Sequence, residues 1–95
     1  MKKYESLFRY KQWRDWFYNN DNVNKSNIDI LTDFVKDNNI TYTSHFTSSN
    51  EGSHTTVVLS YDERRISERG ASVEAALLLG VLQYLKNEVV RKQVG

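Results

Sequence analysis

Two stretches of this 95-residue chain carry side chains suited to a charged partner. The first interleaves cations with rings: Arg9, Lys11 and Arg14, preceded by Lys2 and Lys3, sit beside Tyr10, Trp13 and Trp16. Cationic groups neutralise phosphate and indole faces stack on bases, so this composition fits a nucleic-acid-binding surface. The same rings recur at helical spacing, which fits a packed helix with its charges in water at the edges. A mixed arrangement packs the rings and turns the basic edge to an acidic protein surface. The second stretch sets Arg64, Arg65 and Arg69 among Asp62, Glu63 and Glu68. It reads either as a binding face or as an edge strand protected by charge.

Other chemistry has little to work with. His45 and His54 are the only histidines, and there is no Cys. A structural zinc site needs four closely placed ligands, so neither metal nor cofactor is expected. No nucleophile elbow, phosphate-binding loop or dinucleotide fingerprint occurs, and a chain this short has little bulk for a deep substrate cleft. Catalysis is not expected. Thirteen basic against twelve acidic residues give a net charge of +1, so bulk charge does not argue for nucleic acid. No apolar run approaches the roughly 20 residues that span a bilayer, so no membrane partner is expected. The N-terminus lacks the apolar stretch of a signal peptide, and the lack of Cys fits a reducing compartment. The expected location is therefore the cytoplasm.

The elements that must position these residues follow from periodicity. The length suits a single domain over 1–95. With no Pro, the turns fall to Asn, Asp, Ser and Gly. Residues 4–18 read as a helix with two aromatic faces, Tyr4, Leu7 and Phe8 against Tyr10, Trp13, Trp16 and Phe17. Such a helix is sandwiched, or bends between the groups. The Asn-rich run 19–27 reads as a polar linker. A second helix starts at Ser26 or Asn27, where Ser26 and Asp29 resemble a capping box. Its stripe is Ile28, Leu31, Phe34 and Val35, and Asp37-Asn38-Asn39 ends it through a left-handed cap. Alternation then predicts a strand in which Ile40, Tyr42 and Phe46 oppose Thr41, Thr43, His45 and Thr47. A loop over 48–53 leads to a strand over 54–61, a tight turn at Asp62-Glu63 and a third strand over 64–68. Connections this short demand an antiparallel meander. Arg65 and Arg69 share a parity, which places them beside Thr41, Thr43 and His45. Ser72 caps a last helix that is apolar all round from Ala75 to Leu82 and needs cover from at least two directions. The expected fold class is α+β, in the order α-α-β-β-β-α: a three-stranded antiparallel sheet packed with the C-terminal helix and one or two N-terminal helices.

From Asn27 to Asn87, within a core of 27–90, the order α-β-β-β-α resembles the double-stranded-RNA-binding domain. Gly70-Ala71-Ser72-Val73-Glu74-Ala75-Ala76 looks like that family's strand end and helix start. Ala76, Gly80 and Leu85 fall at its small and apolar positions, and Asn50 to His54 resembles its first strand-to-strand loop. The resemblance implies RNA contact through basic residues opening the last helix, but here those positions read Val73, Glu74 and Leu77. Glu74 repels phosphate, so the likeness implies the architecture without the duplex grip. The chain also resembles small phage α-β-α sandwich proteins, which implies helices on both sheet faces, the N-terminal one forming the second layer.

These readings converge on a non-enzymatic protein-binding module, of the kind a phage or mobile element uses as an accessory or inhibitor of a host complex in the host cytoplasm. The binding set is Arg9, Lys11, Trp13, Arg14, Trp16, His45, Arg64, Arg65 and Arg69. The alternative is a nucleic-acid-binding domain, RNA or DNA, using the basic N-terminal helix and the third-strand arginines. The surplus apolar faces of the last helix add an expected homodimer through that helix.

Overall fold

A computed structural model describes residues 4–22 and 24–94. Lys2 and Lys3 lie outside the described residues. The chain opens with a 3-10 turn, Leu7–Arg9, followed by helices α1 (Lys11–Tyr18) and α2 (Asn27–Asp37). Strands β1 (Thr41–Ser49), β2 (Gly52–Tyr61) and β3 (Arg64–Gly70) come next, then helix α3 (Val73–Val94). The fold is α+β, with an antiparallel sheet in the order β1-β2-β3.

The helix expected over 4–18 is broken at Tyr10, whose extended backbone (φ −101°, ψ 126°) separates the turn from α1. The break resolves the conflict between the two aromatic faces. Tyr4 and Phe8 fold back edge-on against Trp13, at centroid distances of 6.3 and 6.2 Å. Trp13 in turn meets Phe34 of α2 at 4.9 Å. On its other side, Gln12 donates a 3.0 Å hydrogen bond to the Tyr84 hydroxyl of α3. The N-terminal segment therefore lies on the helices.

The Asn-rich run proves to be a cap. The Asn19, Asn20 and Asn22 side-chain amides donate to the carbonyls of Asp15, Trp16 and Phe17 at 2.7, 2.7 and 3.0 Å. They add side-chain donors at the last carbonyls of α1, of which those of Asp15 and Phe17 also accept the backbone N–H groups of Asn19 and Asn20. Ser26 caps α2 by accepting from the Asp29 amide, and Ser72 caps α3 by accepting from the Ala75 amide. Asn39 closes α2 with φ 58°, the left-handed geometry its short amide side chain tolerates.

The loop expected over 48–53 shrinks to Asn50-Glu51, because Ser49 and Gly52 pair as the last rung of the β1–β2 ladder. The Ser49 hydroxyl braces the turn, donating to the Gly52 carbonyl and accepting from the Glu51 amide. Asp62 and Glu63 form the expected tight turn, both left-handed (φ 46° and 63°), as a type I′ hairpin requires.

The core lies between the sheet and α3. Val57, Leu59, Tyr61 and Ile66 from the inner sheet face meet Leu77, Val81 and Leu85, with α2 adding Leu31, Phe34 and Val35. Each large side chain taken from water contributes roughly 1.5–3 kcal/mol. Glycines permit two close approaches. A Cβ on Gly70 would lie 2.7 Å from the Ala76 amide nitrogen, and one on Gly80 would lie 3.0 Å from Leu59. The sheet covers one side of α3, and α2 with the N-terminal segment covers part of another. Leu79 and Val90 stay in water, 42% and 58% exposed, so the all-round apolar surface is not covered all round.

Candidate functional site

The register defines the outer face of the sheet. One row across the strands is His45, Thr56 and Arg69; another is Thr41, Ser60 and Arg65; a third is Thr43, Val58 and Ser67. Thr47 and His54 extend it toward the hairpin tip. None of these residues is buried, and among the described residues no helix covers this side. The second layer implied by the likeness to phage sandwich proteins is not formed by the N-terminal segment. The outer face thus carries two guanidiniums, two imidazoles and a field of hydroxyls. Glu68 has the opposite parity, and Glu51, Asp62 and Glu63 sit in the turns, so no carboxylate belongs to this surface.

The structure brings together His45, Arg65 and Arg69 from the expected set and adds His54, which alternation against Val57, Leu59 and Tyr61 of its own strand could have revealed. Arg64 is separated from them. It follows the type I′ turn with the parity of Ile66 and Glu68 and is exposed at the far end of the helix-side face. The N-terminal members lie in the helix layer, on the other side of the sheet. Trp13 is fully buried and offers no surface to a partner. Trp16 is half-buried, its indole N–H donating to Asp37 at 2.9 Å. Lys11 pairs with Asp15 at 2.6 Å, and Arg14 donates to the Phe8 carbonyl at 2.7 Å, bracing the break at Tyr10. Arg9 is exposed. The rings are thus committed to packing, and of these three cations only Arg9 is without such a tie among the contacts described.

A feature that charge-centred reading passes over lies at the sheet's free edges. β3 is protected by Arg64, Arg65, Glu68 and Arg69, as edge strands commonly are. β1 is the opposite edge. All nine of its residues are exposed, and it contains no Lys, Arg, Asp, Glu or Pro. Phe46, 70% exposed, and Tyr42, 37% exposed, project from it on the helix side, opposite Thr55 and Leu59. The missing charges in 41–49 were the available signal.

Among the described residues, open grooves lie on two sides of the helices. One of about 530 Å³ lies between α2 and the start of β1, lined by Val35, Lys36, Ile40 and Tyr42 among others. The other, about 310 Å³, lies between α1 and α3, with Tyr10, Leu85 and Val89 in its walls. Their volumes fall within the range of ligand clefts, and both are open to solvent. The first has no acid and no histidine in its lining. Burial and the nearby Glu74 carboxylate hold the Tyr4 phenol above the ordinary tyrosine range, and burial does the same for Tyr84. Among the described residues, no three His, Asp or Glu side chains are grouped to hold a metal ion, and no helix is long and apolar enough to cross a membrane. No family model, curated protein or solved structure matches this chain.

Proposed function

We propose that this chain is a non-enzymatic protein-binding module that captures an extended segment along β1. The observation that carries this reading is the nine-residue exposed edge without a charged side chain, beside an apolar groove. An unprotected edge pairs readily with another strand through main-chain hydrogen bonds, while pockets for alternate side chains select the sequence. Phe46→Lys introduces the missing protection and should abolish capture without disturbing the fold, because that side chain packs on little. Paired pull-downs with wild-type protein and the Phe46→Lys variant test this. A partner held equally by both would refute the β1 edge as the docking site.

The outer face supports a second reading, a nucleic-acid-binding domain using Arg65, Arg69, His45 and His54. The absence of carboxylates from that face favours it. Anisotropy titrations against duplex RNA, duplex DNA and single strands, at low and physiological salt, separate the two. Phosphate binding weakens log-linearly with salt. Tight, salt-sensitive binding that disappears when Arg65 and Arg69 both become Glu would establish this second reading. Absence of binding at low salt would remove it.

A further inference from the structure

The hydrogen-bonding direction of the β1 edge follows from the turn between β2 and β3. The type I′ turn at Asp62-Glu63 makes Tyr61 and Arg64 a hydrogen-bonded pair. Alternation along β2 then aims the backbone groups of Leu59, Val57 and Thr55 at β3, and those of Ser60, Val58, Thr56 and His54 at β1. Their partners Thr41, Thr43, His45 and Thr47 use their own N–H and C=O groups inward. Tyr42, Ser44, Phe46 and Ser48 are left directing theirs out to the open edge. The two exposed rings of β1 thus sit on residues whose backbone is unpaired, and their side chains share the helix-side face.

We infer that the occupant of this edge is a second copy of the chain, paired antiparallel through β1 about a two-fold axis at Ser44. This rests on the proposal that β1 captures a strand. Centring on Ser44 sets each Tyr42 opposite Phe46 of the other copy and Ser44 opposite Ser44. All three pairs use outward-directed backbone groups, giving about six new N–H···O=C bonds. On the outer face, Thr43 meets His45 and Thr41 meets Thr47, so no like charges of Lys, Arg, Asp or Glu are brought together. Two-fold symmetry satisfies every contact twice, as an isologous interface requires.

The α2–β1 groove fits the same register. Tyr42 is one of its walls, with Val35, Ile40 and the stem of Lys36 nearby. Phe46 of the second copy, standing beside Tyr42 on the same face, arrives at the mouth of this groove. Its ring, 70% exposed in the single chain, gains an aromatic neighbour and an apolar recess together. The two sheets become one continuous sheet, and the unprotected edge disappears from both copies.

Sedimentation equilibrium of the full chain across the micromolar range, with nitroxide labels at His45→Cys, tests the assignment. The chain contains no other cysteine. A dimer is expected, with strong coupling between labels, since diagonal neighbours on paired strands lie roughly 7–8 Å apart. Ser44→Pro removes one outward N–H and leaves the β1–β2 ladder intact; it should raise the dissociation constant at least tenfold. Should that variant misfold, Phe46→Lys should have the same effect while its circular dichroism stays that of the wild type. A chain that is monomeric throughout overturns the second copy as occupant, and leaves capture of a different protein to the paired pull-downs. A dimer without label coupling, indifferent to Phe46→Lys but lost on Leu79→Lys, also overturns it, because the exposed face of α3 would then be the contact.

Discussion

Trp13→Ala measures how far the N-terminal segment belongs to the core. The Trp13 side chain is fully buried and is ringed by Tyr4, Phe8, Trp16, Phe17 and Phe34, with centroids between 4.9 and 6.3 Å. Replacing a fully buried Trp with Ala costs about 3–5 kcal/mol, from lost transfer energy and the cavity left behind. One feature lowers that figure. The Trp13 indole N–H is buried without a hydrogen-bond partner, a burden of about 1–3 kcal/mol that the substitution relieves. Taking the middle of each range, about 4 less about 2, the net expectation is a loss of about 2 kcal/mol, a substantial part of the roughly 5–15 kcal/mol typical of a domain. Urea unfolding followed by the fluorescence of Trp16, the remaining tryptophan, reads the change directly. A loss below about 1 kcal/mol would refute the reasoning, because the segment would then be an appendage on a core that is complete without it. A loss accompanied by a smaller denaturant slope would mean that less surface is exposed on unfolding, through a looser native state, a more compact unfolded state or a transition that is no longer two-state.

Gly80→Ala sets helix propensity against packing. Removing a mid-helix glycine gains up to about 1 kcal/mol, but the new Cβ meets fully buried Leu59 at 3.0 Å, and overpacking costs about 1–3 kcal/mol. Thermal unfolding should show a net loss, and a rise in stability would mean that Leu59 can yield. Ser72→Ala removes the hydroxyl that accepts from the Ala75 amide and should cost about 0.5–2 kcal/mol by urea titration. The raised Tyr4 phenol makes stability fall at alkaline pH. Below about pH 10 both folded and unfolded states keep the proton, so stability is flat. Above it the unfolded phenol ionises first, the unfolded state binds fewer protons, and unfolding becomes easier as pH rises. Tyr4→Phe should flatten that decline above about pH 10, and an unchanged slope there would show that Tyr4 does not contribute.

Local rules were legible wherever a residue's own chemistry decides the outcome. Ser26 and Ser72 cap because a hydroxyl can accept a free helix amide, whatever the rest of the chain does. Asp62-Glu63 turns because two residues between alternating strands leave no other connection. Alternation also set Arg65, Arg69 and His45 on one face, since side-chain parity in a strand is a backbone property.

What the sequence could not decide was which apolar surface meets which. The two aromatic faces of residues 4–18 allowed a sandwiched helix or a bend; the packing of Tyr4 and Phe8 onto Trp13 selected the break at Tyr10. The all-round apolar α3 did not announce that Leu77 and Val81 would be covered while Leu79 and Val90 stayed in water. The basic-aromatic composition of the N-terminus suggested one binding surface with the third-strand arginines, yet the sheet separates it from Arg65 and Arg69. The cause is the same throughout. Propensity, capping and parity act over a few residues, whereas the choice of contact belongs to elements far apart in the chain, and only their docking decides which faces and edges remain open to a partner.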